Sequence, residues 1–265
     1  MKNINDIKYI IVNPTENLTA LVETYVDKNE QATIARIIME KEKKVEQVGF
    51  LSYKDDADIV LRMAGGEFCG NATMSAAAYL AKQNNTQNKD VNVYILDDEK
   101  MIKVKVEKKD DCWHCTEEMP KAISIQKINI DLDKGLQKDF TIVNFKGISH
   151  IIFADEKRYD EIDDYEKRKQ YDVMIRNICK DKGLSSIGFI FYSEKSQSIK
   201  PLVYVNEIDT LFLENSCASG TAALGMYLYS VKKEKISIDV KQPKGILSVE
   251  VDSDKTILSG NVKFL

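Results

Sequence analysis

Apolar and polar residues alternate in short runs along most of this chain, the pattern of half-buried β-strands. IKYIIV at 7–12, LTALVETYV at 18–26, EQVGFLSY at 46–53 and DIVLRM at 58–63 each read as a strand. Helical spacing takes over at 30–41, where Ala32, Ile34, Ile37 and Ile38 recur on one face. A second helix is predicted from near Cys69 through the alanine-rich ATMSAAAYLAK. QNNTQNKD at 83–90 reads as a polar loop, followed by strands VNVYILD, MIKVKVE and the segment from Cys112 to Glu118.

Pro120 and the polar stretch 121–138 predict a lobe boundary. Beyond it the theme repeats, with strands at 140–145, 148–154, 186–193 and 200–206, a charged helix over about 158–180 and a small-residue helix beginning near Cys217. KISIDV, ILSVEV and TILSGNVKF close the chain as strands. The expected class is α/β with much antiparallel sheet. The N-terminal lobe is set at 1–120 and carries Cys69; the C-terminal lobe is set at 121–256 and carries Cys217. The last strand, about 257–265, is a candidate to return to the first lobe.

The 265 residues suit one large domain or two lobes. Hydrophobic residues at 43% and charged residues at 30% fit a globular protein with a sizeable core. A net charge of −4 gives no electrostatic case for nucleic acid or an anionic membrane. The N-terminus lacks a signal-peptide pattern and no apolar run is long enough for a membrane span, so the expected compartment is the cytoplasm. There the five cysteines, an odd number, are expected to stay reduced.

The chemistry lies in an internal repeat. CGNATMSAAAYL at 69–80 and CASGTAALGMYL at 217–228 align at a constant offset of 148, matching Cys69 with Cys217, Thr73 with Thr221, Tyr79 with Tyr227 and Leu80 with Leu228. Each cysteine stands at a predicted helix start. There the helix dipole is expected to lower a thiol pKa toward neutrality. The free N–H groups of Gly70, Asn71, Ala72 and of Ala218, Ser219, Gly220 are suited to a carboxylate. Two such sites facing across a cleft would invert a stereocentre, one thiolate removing the Cα proton and the opposite thiol returning one.

GGEFCGNAT and ENSCASGTA resemble the two catalytic motifs of the diaminopimelate epimerase superfamily, pyridoxal-phosphate-independent racemases and epimerases with two similar lobes. The resemblance is closest to its histidine racemase branch, known from staphylopine-type metallophore biosynthesis. It runs through NPTENLTALV at 13–22, EQVGFL at 46–51, MAGGEFCGNATMS at 63–75, KPLVYVNEIDTLFLENSCASGTAALG at 200–225 and QPKG at 242–245. It implies two pseudo-symmetric lobes, each a mostly antiparallel sheet or barrel wrapped around a central helix. It implies that Cys69 and Cys217 are the catalytic thiols, and that Gly70, Asn71, Ser219, Gly220 and Thr221 surround the substrate carboxylate. Asn17 matches an asparagine beside the active site of diaminopimelate epimerases.

The chain also departs from those enzymes. They carry a Glu-Arg pair shortly before the second cysteine, whereas NEIDTLFLENSC has no arginine, and CASG replaces their CGTG. The expected substrate is therefore a free amino acid other than diaminopimelate, with L-histidine to D-histidine favoured. Glu46 is the candidate partner of the imidazole, ahead of Glu207 and Glu214. No cofactor or metal is implied, and a homodimer is left open. The C-x-x-C spacing of Cys112 and Cys115 is read as incidental, because on a strand the two would point to opposite faces. His150, in GISHIIFA, reads as a half-buried sheet residue or a cleft residue. The alternatives are epimerisation or racemisation of another amino acid, diaminopimelate-type or otherwise cationic, on the same scaffold, and a non-catalytic amino-acid-binding protein.

Overall fold

A computed structural model describes residues 4–131 and 137–265. The first part of the chain forms β1 (Tyr9–Pro14), β2 (Thr19–Val22), α1 (Lys28–Lys41), β3 (Gln47–Lys54), β4 (Ala57–Met63), α2 (Gly70–Gln83), β5 (Asn88–Ile95), β6 (Lys100–Lys109) and β7 (Cys112–Glu118). Then follow β8 (Ser124–Asp131), β9 (Gln137–Asn144), β10 (Ser149–Ala154), α3 (Glu156–Glu161), α4 (Tyr165–Asp181), β11 (Ser186–Ser193), β12 (Ser198–Val205) and β13 (Thr210–Leu213). The chain ends in α5 (Ala218–Lys232), β14 (Ile236–Lys241), β15 (Ile246–Val251) and β16 (Thr256–Phe264).

Strands β1 to β7 neighbour one another in chain order, and β16 closes the ring by pairing with both β7 and β1. The result is an eight-stranded barrel around α2. The sheet continues from β16 through β15, β14, β12, β11, β10, β9 and β8, and this second half wraps α5. Most pairings are antiparallel; β2–β3, β4–β5, β10–β11 and β12–β14 are parallel. This is the expected class: α/β, two similar halves, one central helix in each.

The two central helices explain their own composition. Every residue of α2 from Gly70 to Ala81 is buried, as are Ala218 to Met226 of α5. A helix enclosed on all sides must be apolar all round, and small side chains let the strands close on it. A Cβ on Gly225 would sit 2.9 Å from Val251 Cγ2 and 3.0 Å from Val249 Cγ2, so β15 can approach α5 only over a glycine.

A second apolar layer lies outside β9–β12. Strand β11, SIGFIFYS, is buried along its whole length. Its Ile187, Phe189 and Phe191 meet Tyr171, Ile175 and Cys179 of α4, while Ile190 and Tyr192 belong to the main core. An uninterrupted apolar run marks a strand covered on both faces. Phe153 stacks on Phe191 at 5.0 Å between centroids within that layer.

Three local readings are corrected. Part of the polar stretch 121–138 is strand β8, with residues 132–136 outside the described residues. The charged helix is two helices, because Asp164 accepts from the Lys167 N–H and restarts the helix as an N-cap. Strand β13 was not expected. In β7, Trp113 and Cys115 face inward and Cys112 and His114 do not, the opposed arrangement read from the spacing. Among the described residues no helix is long and apolar enough to cross a membrane.

Candidate active site

Both cysteines stand at the N-cap of a central helix with the same backbone geometry, though only the Cys69 sulfur accepts a capping hydrogen bond, from the Ala72 N–H. Cys69 is the N-cap of α2 with φ −134° and ψ 106°; Cys217 is the N-cap of α5 with φ −135° and ψ 109°. The repeat extends to the threonines. Thr73 Oγ1 donates to the Cys69 carbonyl at 2.8 Å, and Thr221 Oγ1 donates to the Cys217 carbonyl at 2.7 Å. The helix starts meet head to head, since a Cβ on Gly70 would lie 2.9 Å from Ala218 Cβ. Two thiols and two helix N-termini therefore converge on one place.

That place is a cavity of about 30 Å³ bordered by Cys69, Asn71, Cys217, Ser219 and Glu46. Such a volume holds about one water molecule. Asn17, Gly70, Gly220 and Thr221 do not border the cavity. Asn17 is fully buried one layer behind: its amide donates to the Ser216 carbonyl at 2.6 Å and to Glu46 Oε2 at 3.1 Å, and its Oδ1 accepts from Gln47 at 2.5 Å. Thr221 is committed to the Cys217 carbonyl and accepts from Gln242 at 3.0 Å.

Glu46, Asn17 and Asn71 all reach across to the segment just before Cys217. Glu46 accepts from the Asn215 N–H at 3.3 Å and from the Asn215 side chain, while Asn71 donates to the Ser216 carbonyl at 3.1 Å. These bonds clasp the two halves at the mouth of the cleft.

Reading the sequence missed several groups. Gln47 accepts from the Cys69 thiol at 2.9 Å, and Gln242 Oε1 accepts from the Cys217 N–H at 3.2 Å. Glu67, which the sequence reading passed over, and Glu214, named there only as a weaker candidate, border the cavity with Glu46. A signal was present for them, because an acid stands two residues before Cys69 and three before Cys217. Glu207 does not border it and is exposed.

His150 is fully buried rather than half-buried. Its Nε2 lies 2.9 Å from Ser219 Oγ, and Ser219 Oγ lies 3.7 Å from Cys217 Sγ. The ring fits because its partner in register on β11 is Gly188, where a Cβ would fall 2.3 Å from Nδ1. Burial pushes the imidazole pKa down to about 3, so the ring is neutral. Nδ1 has no partner among the described residues. A buried orphan N–H costs more than a buried lone pair, which puts the proton on Nε2. Nε2 then donates to Ser219, and the serine proton is free for the Cys217 sulfur.

The electrostatics reverse the expectation of lowered thiol pKa values. Burial holds both thiols well above their ordinary value. The carboxylates of Glu214, Glu67 and Glu117 add to this at Cys69, and Glu214 adds to it at Cys217. The Ala72 N–H, 3.4 Å from Cys69 Sγ, opposes it without winning. Burial also raises the three cavity acids, Glu46 to about 7, Glu67 to about 7 and Glu214 to about 8. Desolvation exceeds the half-charge of a helix end. The closed cleft thus holds acids in want of a cation, and no lysine, arginine or histidine borders it among the described residues.

Comparison with known proteins bears on this geometry. Residues 6–262 match the family model described as the histidine racemase CntK N-terminal domain. A histidine racemase of Fusobacterium nucleatum subsp. nucleatum (strain ATCC 23726 / VPI 4351) is 32% identical over 267 residues, covering 97% of this chain and 94% of that protein. One of Staphylococcus aureus (strain Mu50 / ATCC 700699) is 28% identical over 248 residues, 92% and 88% of the two chains. Among solved structures, a predicted epimerase from Pseudomonas aeruginosa superposes with a TM-score of 0.70 at 12% identity, covering 98% and 97% of the chains. A probable proline racemase from Agrobacterium radiobacter K84 gives 0.64 at 10% identity, covering 98% and 91%. These structures share the fold. The model match from end to end and the full-length relatives together show that the chain carrying this double-cysteine cleft belongs to the histidine racemase family.

Proposed function

We propose that this protein racemises free histidine at Cα, with Cys69 and Cys217 as the two bases. The observation that carries the reading is that two cysteines, each capping the start of a central helix, border a single cavity. One thiolate takes the Cα proton as the opposite thiol delivers its own to the other face. The bond pair left at Cα spreads onto the substrate carboxylate, and the first-turn N–H groups of α2 and α5 stabilise that charge. Gly70, Asn71, Ser219, Gly220 and Thr221 build those two turns; Asn17 holds Glu46 and the Ser216 carbonyl in place behind them. After one turnover the two cysteines have exchanged protonation states. The reverse reaction restores them, or the newly formed thiol gives its proton to solvent while the opposite thiolate takes one up.

The acid-lined cleft supports a substrate with cations at both ends. Histidine brings an ammonium and a protonatable imidazole to three carboxyls in a cavity that no cation borders among the described residues, Arg62 and Lys244 acting on Glu67 and Glu46 from outside its lining. Its charge also offsets the carboxylate repulsion that adds to burial in keeping the thiols protonated, so substrate binding favours ionisation. Glu46 is assigned to the imidazole. The apolar wall of Ile148, Val203 and Phe212 suits a flat ring. The same reading divides the chain at about residue 120 into lobes 1–120 and 121–256, with 257–265 returned to the first, which the pairing of β16 with β1 and β7 supports.

The test is chiral chromatography of L-histidine, L-lysine, L-arginine and diaminopimelate after incubation with the purified protein. L-Histidine should approach a 1:1 mixture of enantiomers faster than the others change. Glu46→Gln should raise the KM for histidine about tenfold or more, the loss of one hydrogen bond to a charged group. Unchanged stereochemistry with every substrate would leave amino-acid binding without catalysis, and a preference for diaminopimelate would overturn the assignment of Glu46.

A further inference from the structure

Strand β7 turns Trp113, Cys115 and Glu117 inward. The alternation asks for an apolar residue at 117, yet a glutamate stands there, 1% exposed. Both carboxyl oxygens are buried, and neither has a hydrogen-bond partner among the described residues. Its register partners on the adjoining strands, Val104 and Leu258, offer nothing polar from their side chains. A carboxyl in that state is among the most costly groups a core can hold.

What Glu117 does face is the junction of the two central helices. A Cβ on Gly70 would lie 2.5 Å from Glu117 Oε1 and 2.9 Å from Ala218 Cβ. The carboxyl therefore sits where the first residues of α2 and α5 meet, one residue from the Cys69 thiol. Each helix start carries roughly half a positive charge. A full negative charge at their junction would offset both.

We propose that Glu117 is a positioning residue, a carboxyl that must hold its proton so that the joined N-termini of α2 and α5 stay free to draw the substrate carboxylate and to steady the Cys69 thiolate. This rests on the two-thiol reading given above. With its proton on, Glu117 is a neutral wedge. Without it, Glu117 is an internal rival of the substrate. Burial favours the neutral form, holding the carboxyl well above its usual range. Once ionised, its charge would raise the thiols of Cys69 and Cys115. Cys69 from α2 and Cys115 from β7 are the titratable groups facing it. Ala218 of α5, Val104 of β6 and Leu258 of β16 bring none. Glu67 and Glu214 act on Cys69 from the cavity side.

Glu117→Gln keeps the shape and removes the charge. Iodoacetamide alkylation of Cys69, followed by mass spectrometry at rising pH, reads the thiol without needing turnover. Up to about pH 9, where native Glu117 holds its proton, the two proteins should alkylate alike; above that, as the native carboxyl ionises, the Gln variant should alkylate roughly threefold faster or more, a shift of half a pH unit or more in the thiol midpoint. Over that same alkaline range the KM for histidine should rise in the native protein and stay level in the Gln variant. Identical alkylation curves and identical KM profiles would overturn the proposal. The native protein supplies a readout that needs no folded variant: the infrared carbonyl band of one buried carboxylic acid should persist at about pH 9, and its absence would equally overturn it. Full racemase activity in Cys69→Ser would sink the two-thiol reading, while the alkylation curves would still decide whether Glu117 controls that sulfur.

Discussion

Serine in place of Cys217 is expected to lower kcat for histidine racemisation by about 10²–10⁴-fold, the range of a lost general acid or base. The change is close to isosteric, so KM and stability should move little. A hydroxyl holds its proton far more tightly than a thiol, and the Ser219 donor beside it cannot make up the difference. Cys69→Ser should do the same, since the two caps share one geometry. The variants should differ in what survives. Each keeps one working sulfur on one side of Cα, so each should still exchange the Cα proton of one enantiomer with solvent, and the two variants should choose opposite enantiomers. Exchange is read by proton NMR in deuterated buffer. Near-native racemisation in either variant would mean that its sulfur takes no part.

Gly70→Ala should be the most damaging change that touches no reacting atom. The new methyl would sit 2.5 Å from Glu117 Oε1 and 2.9 Å from Ala218 Cβ. The glutamate can swing, but Ala218 is fixed by the first turn of α5. One helix start has to retreat, and the two thiols retreat with it. Overpacking of this kind costs about 1–3 kcal/mol. A displacement of about 1 Å at the reacting groups costs on the order of 10²-fold in rate. Thermal denaturation and steady-state kinetics check the two parts separately. A variant with native kcat would show that the helix starts have room to spare. Gly220→Ala meets Ile190 Cδ1 at 2.6 Å, the far end of a flexible side chain, and Cys217 Sγ at 3.2 Å, so it should cost less stability than Gly70→Ala while still crowding that sulfur.

Much of the fold is legible in the amino-acid sequence, for physical reasons. The offset of 148 between the cysteine motifs marks two equivalent helix starts, and the caps agree within 3° in both angles. ILSVEV and TILSGNVKF alternate cleanly, and β15 and β16 occupy those residues. Strand β8 is hidden because SIQKINID exposes most of its residues at the end of the sheet, where a polar strand looks like a linker. The break between α3 and α4 is hidden because the charged residues on either side suit a single helix equally well.

The two helix-start cysteines of the candidate site are legible in the sequence, and their surroundings are less so. Cysteines at helix starts are visible in a sequence. Burial depth is not, and burial decides the sign of the thiol shift. Glu67, Glu214 and Glu117 come from a loop before α2, a loop before α5 and the inward face of β7, so no local pattern gathers them. The pairing of His150 with Gly188 depends on the register of two parallel strands, which neither strand encodes alone.

Conversion of L-histidine in deuterium oxide, stopped within the first few per cent of reaction, reads the number of bases directly. With a sulfur on each face, D-histidine should form carrying deuterium at Cα from the first turnovers, while the remaining L-histidine stays largely protiated. D-Histidine that retains the original proton would mean that one group removes and returns it, and would contradict a cleft worked by two sulfurs.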